Sequence, residues 1–232
     1  MVIIRYGNLY HIKSFRSFAI SFKNMEIKDR IQEKARELFM RLGIRSISMD
    51  DIATQLGMSK KTIYQFFADK DELVEAVMVA NIQQTQQDCD KCLVESANAI
   101  EEIFLTMEMI QEQFRNMNPM ILYDLQKFHI GAFQKLTAHK NEFLFTIIRN
   151  NIEKGIAEGL YRKDIDIDIL AKFRLESMMI GFNMDLFPPA KYSLAEVTQV
   201  IIEHFLFGLA TIEGHELILK YQKERTKKEK YA

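Results

Sequence analysis

The stretch from Ser48 to Leu73 reads Ser-Met-Asp-Asp-Ile-Ala-Thr-Gln-Leu-Gly-Met-Ser-Lys-Lys-Thr-Ile-Tyr-Gln-Phe-Phe-Ala-Asp-Lys-Asp-Glu-Leu. Its caps and its apolar spacing agree only on two short helices and the start of a third. Ser48 can accept a hydrogen bond from a first-turn amide, and Asp51, three residues on, completes an S-x-x-D capping box. Ile52 and Leu56 form an apolar stripe at i, i+4. Ala53 is small where two helices must cross, and Gly57 is suited to the left-handed residue that ends a helix. Ser59 caps a second helix, expected from roughly Lys60 to Phe67, whose inner face is Ile63 and Phe67. Asp69 caps a third, with Glu72 at its N3 position. A small residue, a glycine four later and a β-branched apolar residue six after that pack two helices joined by a tight turn.

The second helix keeps Lys60, Lys61, Thr62, Tyr64 and Gln65 for its outer face and flanks. That set suits a DNA groove. Lysines neutralise phosphates, hydroxyls donate to phosphate oxygens, Gln can read an adenine edge, and a Thr methyl or Tyr ring can touch a thymine methyl. Lys70, at the start of the next helix, pairs its own charge with free amides that favour a phosphate. Ser48, Ser59, Lys60, Lys61, Thr62, Tyr64, Gln65 and Lys70 are therefore the expected DNA contacts. Lys60, Lys61, Thr62 and Gln65 are the candidates for base readout, and Ser48, Tyr64 and Lys70 for phosphates.

These residues resemble the N-terminal DNA-binding domain of TetR-type transcriptional regulators. Their pattern is a Thr-capped helix, then Ile-Ala, Gly-Val-Ser, Tyr-x-Tyr/His-Phe, and a Lys and a Leu. Here the places are held by Ser48, Ile52-Ala53, Gly57-Met58-Ser59, Tyr64-Gln65-Phe66-Phe67, Lys70 and Leu73. Ser48 replaces Thr and keeps the hydroxyl, Met58 replaces Val and stays apolar, and Phe66 replaces Tyr or His and loses a polar tip. A preceding helix over roughly Ile27 to Leu42 also fits, with Ile31, Ala35, Leu38, Phe39 and Leu42 at helical spacing and Gly43 ending the run. The resemblance is specific over about residues 26 to 78, and beyond that it is one of length and helical pattern.

A chain of 232 residues, 48% hydrophobic and 27% charged, has room for one or two domains with real cores. Its formal net charge of −1 excludes a diffuse positive field. DNA affinity must come from a few placed lysines, hydroxyls and helix ends. Residues 1–24 carry Arg5, Lys13, Arg16 and Lys23 and no acid, whereas the tail from Lys220 carries six Lys/Arg against Glu224 and Glu229. Met25 stands directly before the family-like part. Residues 1–24 are thus expected to be a basic extension, either a disordered arm or a start-site artefact. No apolar run approaches the ~20 residues of a membrane span.

The two cysteines form Cys89-Asp-Lys-Cys92 at the end of a predicted helix. No strand leads into them, as a redox motif requires, and no second ligand pair lies near, as zinc requires. Reduced thiols are the main reading, and a thiol-responsive regulator is the alternative. The five histidines show no ligand spacing. Asp164, Asp166 and Asp168 lack the glycine and distal glutamate of a calcium loop and read as a helix-capping turn. No nucleophile elbow, phosphate loop or carboxylate pair is present, so the chain is expected to be neither an enzyme nor a cofactor or metal protein; a helical enzyme or ligand carrier is the least favoured alternative.

No stretch alternates with period 2, and the fold class is all-α. Further helices are predicted over about 70 to the low 90s, 97–115, 120–138, 141–158, 167–186 and from Ser193 to His215 or beyond. Residues 25–72 form the helix-turn-helix domain, 73–219 a helical regulatory and dimerisation domain, and 220–232 a basic tail. The second domain is rich in Phe and Met, which line adaptable pockets between helices. By the TetR resemblance it holds a small, largely apolar effector, with Phe104, Met107, Phe128, Phe143, Phe173, Met178 and Phe182 as candidate lining. The segment Val200 to Ala210 is apolar on more than one face, which a second copy would bury. The resemblance implies a dimer through the last two helices, with Gly181, Phe205, Gly208, Leu209 and Ile212 at the interface. A dimer would place two recognition helices about one turn of DNA apart, matching a palindromic operator. The expected protein is thus a cytoplasmic, dimeric, ligand-responsive regulator of transcription, as a repressor.

Overall fold

Local capping chemistry sets most of the helix boundaries in the computed structural model, which describes the backbone of residues 10–231 and the side chains of residues 26–225. The order is α1 (Tyr10–Leu42), α2 (Met49–Leu56), α3 (Lys60–Tyr64), α4 (Lys70–Glu95), α5 (Ala99–Phe114), α6 (Met120–Phe128), α7 (Ile130–His139), a π-helical turn (Lys140–Leu144), α8 (Phe145–Ala157), α9 (Ile167–Ile180), α10 (Leu194–Leu209) and α11 (Ile212–Tyr231). Ser48, Ser59, Asp69, Asn98, Asp166 and Ser193 each accept an amide of the following first turn, as helix N-caps should. The fold is all-α. The predicted N-terminal extension, residues 1–24, lies outside the described side chains, as does the end of the basic tail.

Two hydrophobic cores form. The first joins Ile31, Leu38 and Phe39 of α1 to Ile52, Ile63, Phe67 and the Leu73–Met78 face of α4, and it draws in Ile121, Leu125 and Ala132 from α6 and α7. The second gathers Ile100, Phe104 and Met107 of α5, Ile152 of α8, Ala171 of α9, Ile202, Leu206 and Leu209 of α10, Ile218 and the fully buried Tyr161. The first core therefore extends past residue 72, because α6 and α7 cover the top of the helix-turn-helix. That cover is held by polar ties. Asp124 accepts the Arg45 amide at 2.9 Å, the Asn118 amide reaches Met40 O at 2.7 Å, and His129 Nδ1 lies 2.6 Å from Asp71 Oδ1.

Several predicted helices change: α1 begins at Tyr10 and not near Ile27, and α9 ends at Ile180 and not near Leu186. The 120–138 helix is broken at His129, whose backbone sits at φ −130°, ψ 61° between α6 and α7. α7 then runs through the π-helical turn into α8, where a gap was expected near residue 140. The last helix breaks at Ala210, because Leu160–Arg162 pairs with residues 209–211: Arg162 N donates to Leu209 O at 2.8 Å and Thr211 N to Leu160 O at 2.9 Å. Those two bonds, anchored by buried Tyr161, outweigh the continuing helical pattern of the sequence. Among the described residues no helix is long and apolar enough to cross a membrane.

Candidate nucleic-acid interface

The capping box at the start of α2 is complete. Ser48 Oγ accepts the Asp51 amide at 3.2 Å, and Asp51 Oδ2 accepts the Ser48 amide at 2.8 Å. These bonds from Ser48 hold the Asp51 carboxyl below the usual range. Gly57 ends α2 at φ 62°, in the left-handed region that favours glycine. Ser59 then opens α3 by accepting the Thr62 amide at 3.1 Å, and the two hydroxyls bond at 2.8 Å. Ile63 and Phe67 are driven into the first core. The hydrogen-bonded turn continues past α3, with Phe67 N donating to Ile63 O at 3.1 Å, although the regular helix is shorter than the predicted Lys60–Phe67.

With its inner face fixed, the second helix presents Lys61, Tyr64 and Gln65 outward. All three are exposed, Tyr64 at 43%. Lys61 and Gln65 make no side-chain hydrogen bond among the described residues, so their donors and acceptors are free for a groove. The other predicted contacts are partly engaged. Lys60 Nζ lies 2.8 Å from Asp50 Oδ2, and this hydrogen bond raises its pKa. Ser48 and Ser59 act as caps, and Thr62 bonds to the Ser59 cap. Lys70, read from sequence as a phosphate contact, is half-buried and donates to Ile44 O at 2.7 Å beside the Phe39 ring. Burial lowers its pKa despite the nearby acids Asp124, Asp71 and Asp51. Its first role is to tie the loop after α1 to the start of α4.

The predicted effector-pocket residues are not brought together. Phe104 and Met107 belong to the second core. Phe128 is exposed at the end of α6, under Arg45 and Lys127. Phe143 stacks on His139, and Phe182 meets Phe114 edge-on. Phe173 is 56% exposed and lies beside Phe205, while Met178 is half-buried further along α9. Helical periodicity marks a residue as inward without saying which neighbour it meets, and that is why the group scatters. Two residues predicted at the dimer interface lie inside the chain. Leu209 is core, and Gly181 is buried within the chain, where a Cβ would come 3.1 Å from Leu194 Cδ1. Phe205 is half-buried, Gly208 faces open space and Ile212 is 84% exposed.

Both cysteines are free and buried. Burial, with Cys92 and Asp88 nearby, pushes the Cys89 thiol up to about 12, and burial raises Cys92 as well. Thiolate is the reactive form. Near pH 8 the Cys89 thiol should react with Ellman's reagent about a thousandfold more slowly in the native protein than in denaturant; equal rates in the two states would contradict this environment. Among the described residues no His, Cys, Asp and Glu group is arranged to hold a metal ion.

The comparisons agree with this geometry. Residues 31–77 match the family model for bacterial regulatory proteins of the tetR family. The chain is 33% identical over 172 residues to the HTH-type transcriptional regulator YvaF of Bacillus subtilis, covering 72% of this chain and 88% of that protein. It is 20% identical over 201 residues to the HTH-type transcriptional repressor KstR2 of Mycolicibacterium smegmatis, covering 81% and 92%. Among solved structures, a TetR-family regulator from Agrobacterium tumefaciens superposes with a TM-score of 0.68 at 16% identity, over 81% of this chain and all (100%) of that one. A transcriptional regulator from Saccharomonospora viridis in complex with choline gives 0.68 at 19% identity, over 81% and 99%. The helix-turn-helix built on Ser48–Leu73, the family match across it and the YvaF relationship together establish that this chain belongs to the TetR family of DNA-binding transcriptional regulators.

Proposed function

We propose that the protein is a repressor that binds a palindromic operator as a homodimer in the cytoplasm and is released by a small, largely apolar effector. The observation that carries this reading is the free outward face of Lys61, Tyr64 and Gln65 on a helix locked by a closed core. Lys61 and Gln65 read base edges, and Tyr64 with the Ser48 cap meets phosphates. Lys60 joins them by exchanging Asp50 for a phosphate or base, and Thr62 adds its methyl. The repressor sign is supported by the name of the KstR2 relative.

Dimerisation is supported by apolar side chains left outside on the last helices: Ile169 and Phe173 of α9, Val200 of α10 and Ile212. An exposed apolar stripe of this kind is what a second copy covers. Effector response is supported by buried polar atoms without partners on α4 and α7, Asn81 Nδ2 and His139 Nε2, since such groups are normally satisfied. The path to DNA runs through α6 and α7, where Asp124 holds the Arg45 amide and His129 holds Asp71. An effector that binds better to the wrong spacing of the recognition helices lowers operator affinity by that difference.

Selection of bound sequences from random duplex DNA tests the reading. An enriched palindrome with half-sites about one helical turn apart is the expected result. Enrichment of a single asymmetric half-site would remove the dimeric operator, and no enrichment at all would remove sequence-specific binding by the free protein.

A further inference from the structure

One lane of the contact between α9 and α10 is polar. On α9, Arg174, Ser177 and the cap residue Gly181 recur at i, i+3 and i+7 and share a face. Phe205 of α10 lies opposite Arg174, with its ring centroid 6.0 Å from the guanidinium carbon. Thr198 lies opposite Gly181, where a Cβ would come 3.3 Å from the threonine hydroxyl. The lane is therefore antiparallel and about 10 Å long.

Arg174 is only 7% exposed, yet no described acid is within ion-pair distance of it. Its Nη1 donates to Ser177 Oγ at 3.4 Å, and that hydroxyl already donates to Arg174 O at 2.7 Å. Nε and Nη2 have no hydrogen bond among the described residues. The acids of the neighbouring turns are engaged elsewhere: Asp168 with Lys172 at 2.6 Å, Glu176 with Lys140 at 2.8 Å, and Glu203 with Gln199 at 2.8 Å and Arg225 at 4.0 Å. Burial alone pushes the guanidinium down to about 10. At the other end, Thr198 is 5% exposed and its Oγ1 is buried without a partner. Beyond Gly181 the seam ends at a small surface cleft with room for little more than a water molecule, lined by Gly181, Phe187, Tyr192, Leu194 and Val197 among others.

A buried cation with no counter-charge is costly, and so is a buried hydroxyl with no partner. Two such groups on one lane describe half of a recognition site. We propose that the α9–α10 seam carries an anion subsite at its Arg174 end, in which Arg174 takes the carboxylate of an amphipathic small molecule whose apolar body packs on the Phe205 ring. A carboxylate fits because the two uncommitted nitrogens can meet its two oxygens in parallel. An apolar body fits because the half-buried Phe205 ring lies beside the guanidinium. This proposal rests on the effector reading above and narrows it to a chemical class.

The test is calorimetric titration of the full chain with hexanoate, decanoate and hexadecanoate, each beside its primary alcohol, followed by operator binding with the tightest of them. At least one carboxylate should bind about a hundredfold more tightly than its alcohol, the worth of a charge-assisted pair. Arg174→Met keeps the chain length and removes the charge. It should fold with an unchanged or raised Tm, stay dimeric and lose that hundredfold preference. Arg174→Lys should keep part of it, which holds the test open if the methionine variant does not fold. The subsite is overturned by the absence of any carboxylate preference in the wild type, by a preference that survives Arg174→Met, or by dissociation of the Arg174→Met dimer, which would assign the counter-charge to a second copy. Carboxylate binding without any change in operator affinity would uphold the subsite and overturn the effector reading. Release by the alcohols alone would do the reverse.

Discussion

Phe67→Ala is expected to abolish operator binding while leaving most of the helix content in place. Phe67 follows the recognition helix and is almost completely buried, in one cluster with Ile31, Ile52, Ile63 and Leu73. Removing a buried phenyl ring costs about 3–5 kcal/mol through lost transfer energy and the cavity left behind. That is a large share of the stability of a small helical unit. The second core, built on Ile100, Met107, Ile152, Tyr161 and Leu206, contains none of the residues that touch this ring. Thermal denaturation followed by circular dichroism should therefore show an early, partial transition. Operator affinity should fall by more than about a hundredfold. A single transition, shifted as a whole, would mean that α6 and α7 couple the two cores so tightly that neither melts alone.

The second large effect is expected at Gly155→Ala. In an open helix this change would be favourable by about 1 kcal/mol. Here α8 passes over the Tyr161 ring so closely that an added Cβ would lie 2.1 Å from Cδ2 and 2.3 Å from Cε2. The ring cannot retreat. Its hydroxyl donates to Asn151 Oδ1 at 3.2 Å, lies 3.3 Å from Ala99 O, and its backbone amide donates to Gly155 O at 2.9 Å. Relief would require α5, α8 and the segment paired with residues 209–211 to move together. The expected loss is about 2 kcal/mol or more, read as a fall in Tm of about 4–8 °C. A variant as stable as the wild type would show that this junction is much softer than its hydrogen bonds imply.

What was legible in the sequence is what local chemistry decides. Ser48 with Asp51, Gly57, Ser59 and Asp69 with Glu72 each declare a helix end through a bond spanning a few residues, and the structure makes those bonds. The inward positions Ile52, Ile63 and Phe67 follow from the same spacing. Long-range pairing left no such trace. The break at Ala210 depends on Leu160–Arg162, some fifty residues earlier, and the turn at His129 depends on Asp71 at the start of α4. Lys60 and Lys70 read as free cations because their partners, Asp50 and Ile44 O, are brought near only by folding. The proposed pocket aromatics scatter for the same reason: an apolar stripe says that a ring is inside, and the register of neighbouring helices decides what it meets. Arg174 carries a local signal in the sequence. It is a lone cation sharing a helical face with Ala171 and Leu175, where an arginine is rarely buried without a purpose.

The central claim is that the outward face of α3 reads DNA. Its most direct test is the affinity of the selected operator for the wild type and for a Lys61→Ala, Tyr64→Ala double variant, measured by fluorescence anisotropy over a salt series. Both side chains are exposed, so the variant should melt at the wild-type temperature. It should bind about a hundredfold or more weakly, with a salt slope reduced by about 1 for the lost lysine–phosphate or lysine–base contact. A folded double variant that bound the operator with wild-type affinity and salt dependence would contradict the account and place the DNA contact elsewhere on the chain.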